Sequence, residues 1–462
     1  MLPTALGAAA GFSTGGVIAA GSRGATLVSW PKKVRTAFPF VVGGLAGVAV
    51  GLPVALGSTL ALATVGRGRL PVKSVAAGLG LVGVAVVAGL VGRGQVENKL
   101  TPKGRDLDPA YAKPPLNPLV SGSAQSAVTM AELGREGARF VGSVTGANDI
   151  REVTGLEPVA EPVRVFIGVD AATTVEQRVG LAMSELRRTG AFDRTNLLIL
   201  APAGTGYANS TPVDILEILT RGDSASVAIG YGLLPSFLSL GKVTIAAQTQ
   251  KLLLDSICDE LATRTKRPRL LLYGESMGAK VQEAAVPAGP IDLDHYNIAA
   301  ALWVGTPGGQ VSDGFHALCI QESITVDRPE EIPAVLPTPR PRVWFLEHDG
   351  DPVVRFRPEL ITNRPAWLPM DGSRGRNIPD SMTWRPGITY IQALVDTLFA
   401  TNVKPGDFQS LGHDYRADLG AVTTAAYDLP ADAATATRLE AHLRVLEKAK
   451  AELIAQADPV AG

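Results

Sequence analysis

A serine hydroxyl becomes a nucleophile when a histidine takes its proton and a carboxylate orients that histidine. The chain has one serine well placed for this. Gly274-Glu275-Ser276-Met277-Gly278 fits G-x-S-x-G, follows an apolar run at 269–273 and precedes a stretch at 277–285 that can be helical. Strand, sharp turn and helix in that order lift the hydroxyl above a sheet, and the flanking glycines let the turn close. The serine then stands at a helix N-terminus, whose dipole favours developing negative charge. Gly11-Phe12-Ser13-Thr14-Gly15 matches the same pattern but has no strand before it, and is set aside.

Histidine is the usual base because its pKa lies near neutrality. There are five: His295, His316, His348, His413 and His442. Around such a turn the partners follow in the order serine, carboxylate, histidine. The run 342–347 leads into His348-Asp349-Gly350-Asp351-Pro352-Val353-Val354. Asp351 is the expected acid, since its turn leads away from the strand, and Asp349 is the alternative. Asp and Gly also shape turns without doing chemistry. His442 lies in a charged helical stretch, 434–457, and reads as solvated. His413 lies in the loop Leu411-Gly412-His413-Asp414-Tyr415, beyond a break at Pro405-Gly406, and is the expected base. His348 precedes the acid and is out of order. An oxyanion needs two backbone N–H donors. Met277 should supply one. The other should come from a loop after an early strand, Pro202-Ala203-Gly204-Thr205-Gly206-Tyr207, with Thr205 the expected donor. No Gly-Lys-Ser/Thr follows that loop, which excludes a P-loop.

The elements that must position these residues begin at Val163. Strands are expected at 163–169, 196–201, 226–230, 269–273, 298–304 and 342–347, with helices near 174–188, 212–220, 243–265 and 277–285. The alternation predicts an α/β fold, a doubly wound and mostly parallel sheet covered on both faces. Leu270-Leu271-Leu272 fits a strand buried on both sides. Ligands bind such sheets at the carboxyl ends of the strands, where the candidate residues lie.

The N-terminal region has a different character. Hydrophobic residues make up 46% of the chain and charged residues 19%, but the windows 36–66 and 74–92 carry no charge. Each is long enough to cross a bilayer, which takes about 20 apolar residues. A third uncharged window, 1–22, is weakly apolar and lacks the basic start of a signal peptide. Gly43, Gly47 and Gly51 fall on one helix face, where small residues let helices approach closely. Basic residues flank the first long window on both sides, so the positive-inside rule gives no orientation. The expected organisation is a transmembrane helical region at 1–95 with two or three spans, a linker at 96–162 marked by Pro109 and Lys113-Pro114-Pro115, and a catalytic domain at 163–462. Residues 129–144 could form a short helix within the linker. The expected location is the cell membrane, multi-pass.

A net charge of −1 without a basic patch excludes a nucleic-acid surface. Cys258 and Cys319 fit no zinc or CxxC spacing and read as small buried apolar residues. No metal cluster and no dinucleotide fingerprint is visible, so no metal and no cofactor is expected.

These residues resemble a family of membrane-anchored alpha/beta-hydrolases common in actinobacteria, built from a hydrophobic multi-helix N-terminal domain and a C-terminal hydrolase domain. The matching stretches include Arg164-Val165-Phe166-Ile167-Gly168, Gly204-Thr205-Gly206, Gly222-Asp223-Ser224-Ala225 and Leu234-Pro235-Ser236. They continue through the Ser276 motif, Leu302-Trp303-Val304-Gly305, Asp351-Pro352-Val353-Val354, Trp384-Arg385-Pro386 and Gly412-His413-Asp414-Tyr415. They cover most of 163–416, in order. The resemblance implies the alpha/beta-hydrolase fold and a triad carried here onto Ser276, Asp351 and His413. The Asp-Pro-Val turn and His-x-Tyr are also similar to those of cutinases, which cleave esters. The N-terminal region is shorter than the family's, and the loop before His413 differs from its Gly-His-rich version. The expected function is hydrolysis of a carboxylic ester or thioester, of lipid-like character, at a membrane. The alternatives are an acyltransferase using the same acyl-enzyme and a non-catalytic binding protein on a hydrolase fold. A transporter is disfavoured because the apolar windows hold no ionisable residue to mark a pathway.

Overall fold

The computed structural model describes residues 26–28 and 104–457 except 234–241, 373, 401–405 and 407, together with the single residues 9, 13 and 35. The apolar windows 36–66 and 74–92, and nearly all of 1–22, lie outside the described residues. Among the described residues no helix is long and apolar enough to cross a membrane.

The chain divides into two compact units, Met1–Asn98 with Phe356–Phe399, and Lys99–Arg355 with Ala400–Gly462. In the first, Leu27 shares an apolar cluster with Leu368, Ile378 and Met382. The Asp396 carboxylate accepts the backbone N–H groups of Leu27 (3.1 Å) and Val28 (3.4 Å). A segment expected to belong to the catalytic domain is therefore grouped with the N-terminal region, a pairing that no local pattern encodes.

The second unit is built on a seven-stranded sheet in the order β1-β3-β2-β4-β5-β7-β6. The strands are β1 Val163–Ile167, β2 Asn196–Ala201, β3 Ser224–Ile229, β4 Arg269–Glu275, β5 Ile298–Val304, β6 Ser323–Val326 and β7 Val343–Leu346. Every neighbouring pair is parallel. Leu270, Leu271 and Leu272 are buried, as a continuous apolar strand between two helical layers requires. β6 was not expected: it is a short edge strand with a partly exposed Ser-Ile-Thr-Val sequence. Parallel pairing needs a crossover for each strand, so every carboxyl end reaches one edge. Ala201 pairs with Gly274, Gly274 with Trp303, and Trp303 with Phe345, which puts the ends of four strands in one row.

The flanking helices include α1 Met130–Gly142, α2 Ala147–Thr154, α3 Val175–Arg188, α4 Thr211–Leu219, α5 Val243–Ala262 and α6 Met277–Ala285. α3 packs on α5, and α5 on α6; α4 packs on α2 and on Leu419–Ala426. The stretch 96–162 is thus more than the expected linker. α1 starts at a Thr129–Glu132 capping box and packs on β1, and Val120 bridges to Arg164 beside the sheet edge. His442, expected to be solvated, is buried on Ala433–Ala457 with its Nε2 3.1 Å from Asp149 Oδ1. Both cysteines are free thiols; Cys319 is buried and Cys258 half-buried. Burial pushes the Cys319 thiol up to about 12.

One charge sits inside the apolar layer. The Arg164 side chain on β1 has 0% exposure and meets Glu217 and Asp214 of α4, each at 2.6 Å, and the Phe140 carbonyl of α1 at 2.9 Å. The guanidinium ties the sheet to two helices; Asp214 also meets Lys450 Nζ at 2.8 Å, and Glu217 also accepts the Thr145 N–H at 3.0 Å. Arg164→Met should destabilise the unit by roughly 3–5 kcal/mol, because it leaves the buried Glu217 without a cation and Asp214 with Lys450 alone. Chemical denaturation of the full chain, followed by circular dichroism, checks this; a loss below about 1 kcal/mol would contradict it.

Candidate active site

The loops after β2, β4 and β7 carry Thr205, Ser276 and Asp351, and the later loop 411–415 carries His413. β4 ends at Glu275, and Ser276 takes φ 56° and ψ −123° before α6 begins at Met277. A non-glycine residue in that region is strained, and such strain clusters at functional turns. The flanking glycines are required for space. A Cβ on Gly278 would lie 2.0 Å from the Ala201 carbonyl oxygen, and one on Gly274 would lie 2.6 Å from Ala279 Cα. Polar ties hold the elbow. Ser276 N–H donates to the Val304 carbonyl at 2.8 Å. Gln282 of α6 donates to the Ile199 carbonyl and accepts from the Trp303 indole, both at 2.9 Å.

The turn after β7 carries Asp351, which has 0% exposure. One carboxylate oxygen accepts from Tyr415 Oη and lies against His413 Nδ1, both at 2.6 Å. The other accepts the Val353 N–H at 2.8 Å. Asp349, the alternative acid, instead pairs with Arg355 at 2.8 Å. The imidazole therefore meets Asp351 and not Asp349. Burial alone would raise the Asp351 carboxyl, but the neighbouring imidazole and the three hydrogen bonds hold it below the usual range.

His413 is buried, and its Nε2 has no hydrogen-bond partner among the described residues. With Nδ1 donating to a carboxylate, Nε2 is left with its lone pair. Burial alone would lower the imidazole value; the Asp351 charge and hydrogen bond more than offset this, and Glu275 and Asp414 add to the effect. The net direction is upward from 6.5. Gly305 links this ring to the elbow. It follows Val304, the acceptor for Ser276 N–H, and a Cβ there would lie 2.9 Å from His413 Cε1 and 2.6 Å from Tyr415 Cε2. Its φ is +56°, so glycine is required on two counts.

The two expected oxyanion donors lie in different settings. Met277 N–H, at the first position of α6, donates to no acceptor among the described residues. In the loop after β2, Ala203 N–H is taken by the Tyr207 carbonyl and Gly206 N–H by the Ala203 carbonyl, while Thr205 N–H meets no acceptor among the described residues. Thr205 lines a small cleft with Gly206, Gly168, Gly230 and Glu136, and that cleft does not include Ser276. Among the described residues no group of His, Cys, Asp and Glu could hold a metal ion.

A model of an alpha/beta-hydrolase family matches residues 163–439. The chain belongs to that family. The match takes in the elbow, the acid turn and the histidine loop of this hydrolase. No curated protein and no solved structure was found to match it.

Sequence reasoning gave no part to Tyr415 and none to His348. Tyr415 holds the acid, and its spacing in His-x-Tyr was the available signal. His348 was excluded as a base by chain order, and no local signal shows what else it touches. The raised His413 value can be tested directly. The imidazole proton should leave above pH 6.5. Asp351→Asn removes the largest opposing charge and leaves burial against Glu275 and Asp414, so the value should fall. Histidine NMR across a pH series checks both directions; an unmoved value in the variant would contradict the coupling.

Proposed function

We propose that this hydrolase is a membrane-anchored serine hydrolase that cleaves carboxylic ester or thioester bonds of lipid-like substrates. The observation that carries the reading is the buried His413, held by Asp351 on one nitrogen and without a partner among the described residues on the other, beside Gly305, which follows the residue that anchors the Ser276 backbone. In this reading Ser276 Oγ attacks the acyl carbonyl and His413 Nε2 takes the hydroxyl proton. Asp351 fixes the tautomer and stabilises the imidazolium. The Met277 N–H, at the first position of α6, receives the oxyanion, with the Thr205 N–H proposed as the second donor. Collapse of the intermediate expels the alcohol or thiol, which takes the proton from His413. Water then repeats the sequence on the acyl-enzyme, and acid and free Ser276 result.

The lipid-like substrate and the multi-pass location in the cell membrane rest on the uncharged windows 36–66 and 74–92, each long enough for a bilayer. A site tethered at a membrane meets acyl chains at high local concentration.

A fluorophosphonate probe should label the full chain at Ser276 and leave Ser276→Ala unlabelled; equal labelling of both would sink the reading. On a model ester, Asp351→Asn should lower turnover by roughly a thousandfold or more, through loss of the correct tautomer. Asp349→Asn should stay within a few-fold of the parent, because Asp349 meets Arg355 and not the imidazole. Free acid should remain the main product when an alcohol acceptor is added; dominant transfer to the alcohol would make the enzyme an acyltransferase. Acid release should rise with pH through the raised His413 value, since only the neutral imidazole accepts a proton.

A further inference from the structure

A second buried imidazole lies behind the first. His348, two residues past the end of β7, has 0% exposure. Its Nδ1 lies 2.8 Å from the Gly412 carbonyl oxygen. A carbonyl only accepts, so Nδ1 carries the hydrogen. Its Nε2 lies 2.8 Å from Asp418 Oδ2, an oxygen that also accepts the Ser410 hydroxyl. The ring stacks on Tyr415 with centroids 3.9 Å apart. The backbone of His348 is engaged as well. Its N–H donates to Tyr415 Oη at 3.1 Å, and its carbonyl accepts the Asp351 N–H at 3.1 Å.

We propose that His348 is a positioning residue for His413, acting through the Gly412 carbonyl and the Tyr415 ring and anchored by Asp418 and Ser410. The inference rests on the Ser276, His413 and Asp351 reading above. Gly412 is the residue before the base and has φ +61°, a conformation with no intrinsic hold for a non-helical loop. Fixing its carbonyl fixes the plane of the peptide from which His413 departs. Tyr415 joins the same assembly to the acid, because its hydroxyl donates to Asp351 while its ring is covered by His348. One turn of chain, 348–351, thus carries the acid and the support for the base, and a shift of either moves both. Displacing a reacting group by about 1 Å costs on the order of a hundredfold in rate.

Two isosteres separate the contacts. The amide nitrogen of Asn falls where Nδ1 lies, so His348→Asn keeps the Gly412 bond and loses Asp418. The amide of Gln reaches toward Asp418, so His348→Gln does the reverse. With the full chain, a short-chain p-nitrophenyl ester and active sites counted by fluorophosphonate, His348→Asn should keep kcat within about tenfold. His348→Gln and His348→Ala should lose roughly tenfold to a hundredfold in kcat per active site with KM unchanged. The acid limb of their kcat/KM profile should move to lower pH, as the hold of Asp351 on His413 loosens. Asp418→Asn can offer Nε2 an amide donor or a carbonyl acceptor and should resemble the parent; Asp418→Leu should resemble His348→Gln and serves if a substitution at His348 prevents folding. Parent-like kcat per active site in His348→Gln, or equal losses in the Asn and Gln variants, overturns the proposal while leaving Ser276 labelling intact. A parent chain that takes no label at Ser276 overturns the hydrolase reading and this inference with it.

Discussion

A carboxylate with no exposed surface must have its charge met on every side, and Asp351 organises the edge of the sheet around that requirement. An isolated buried charge costs several kcal/mol, so the turn after β7 is stable only with donors in place. Those donors are Val353 N–H from its own turn and two side chains, Tyr415 and His413, from a loop more than sixty residues on. The histidine loop is thus drawn to the acid by electrostatic need. The same need fixes the imidazole tautomer, since the nitrogen facing Asp351 must be the one that donates. The lone pair left on Nε2 is a consequence of satisfying the carboxylate.

That arrangement works only because the sheet is parallel. The register that aligns Ala201, Gly274, Trp303 and Phe345 delivers four loop starts to one row. Crowding there is severe, and positive φ values gather along the edge at Gly206, Ser276, Gly305 and Gly412. Glycine adopts such angles without penalty, whereas Ser276 does so at a cost of order 1–3 kcal/mol. The ties from Gln282 to Trp303 and Ile199, and from Ser276 to Val304, lie beside the strained residue and over-determine its position. Strain and support are found together, as expected where a fold holds a side chain in one orientation.

The legible parts of the sequence were those whose signal is local. Residues 197–201 and Ile298–Val304 are continuous apolar runs, and both strands fall where the pattern puts them. The elbow is a five-residue pattern with a strand before it and a helix after it. Ser323–Val326 was illegible because an edge strand is held by one neighbour and needs no apolar run. His442 was misread because only a narrow face of a charged helix is buried, at Leu439, His442 and Leu443. Proline at 109, 114 and 115 suggested a linker, yet the Thr129–Glu132 capping box begins a helix that packs on β1. The contacts of Tyr415, and those of Leu27 with Met382 and Asp396, join residues far apart in sequence, and composition carries no trace of such pairings.

The chain leaves the second unit at Arg355 and returns at Ala400, between Asp351 and His413. An insertion at that point would be expected to loosen the pair. The entropic cost of a longer loop grows only slowly with its length, so the danger lies in slack at its two ends. Both ends are fastened. Before the departure, Arg355 donates to the Asp349 carbonyl at 2.9 Å and pairs with its carboxylate, which closes the acid turn on itself. After the return, Ser410 and Asp418 bracket the histidine loop and meet at His348, just past the strand end, where the acid turn begins. Both ends of the excursion are therefore held within the second unit. This is how one polypeptide can group Phe356–Phe399 with its N-terminal region while holding Asp351 and His413 at 2.6 Å.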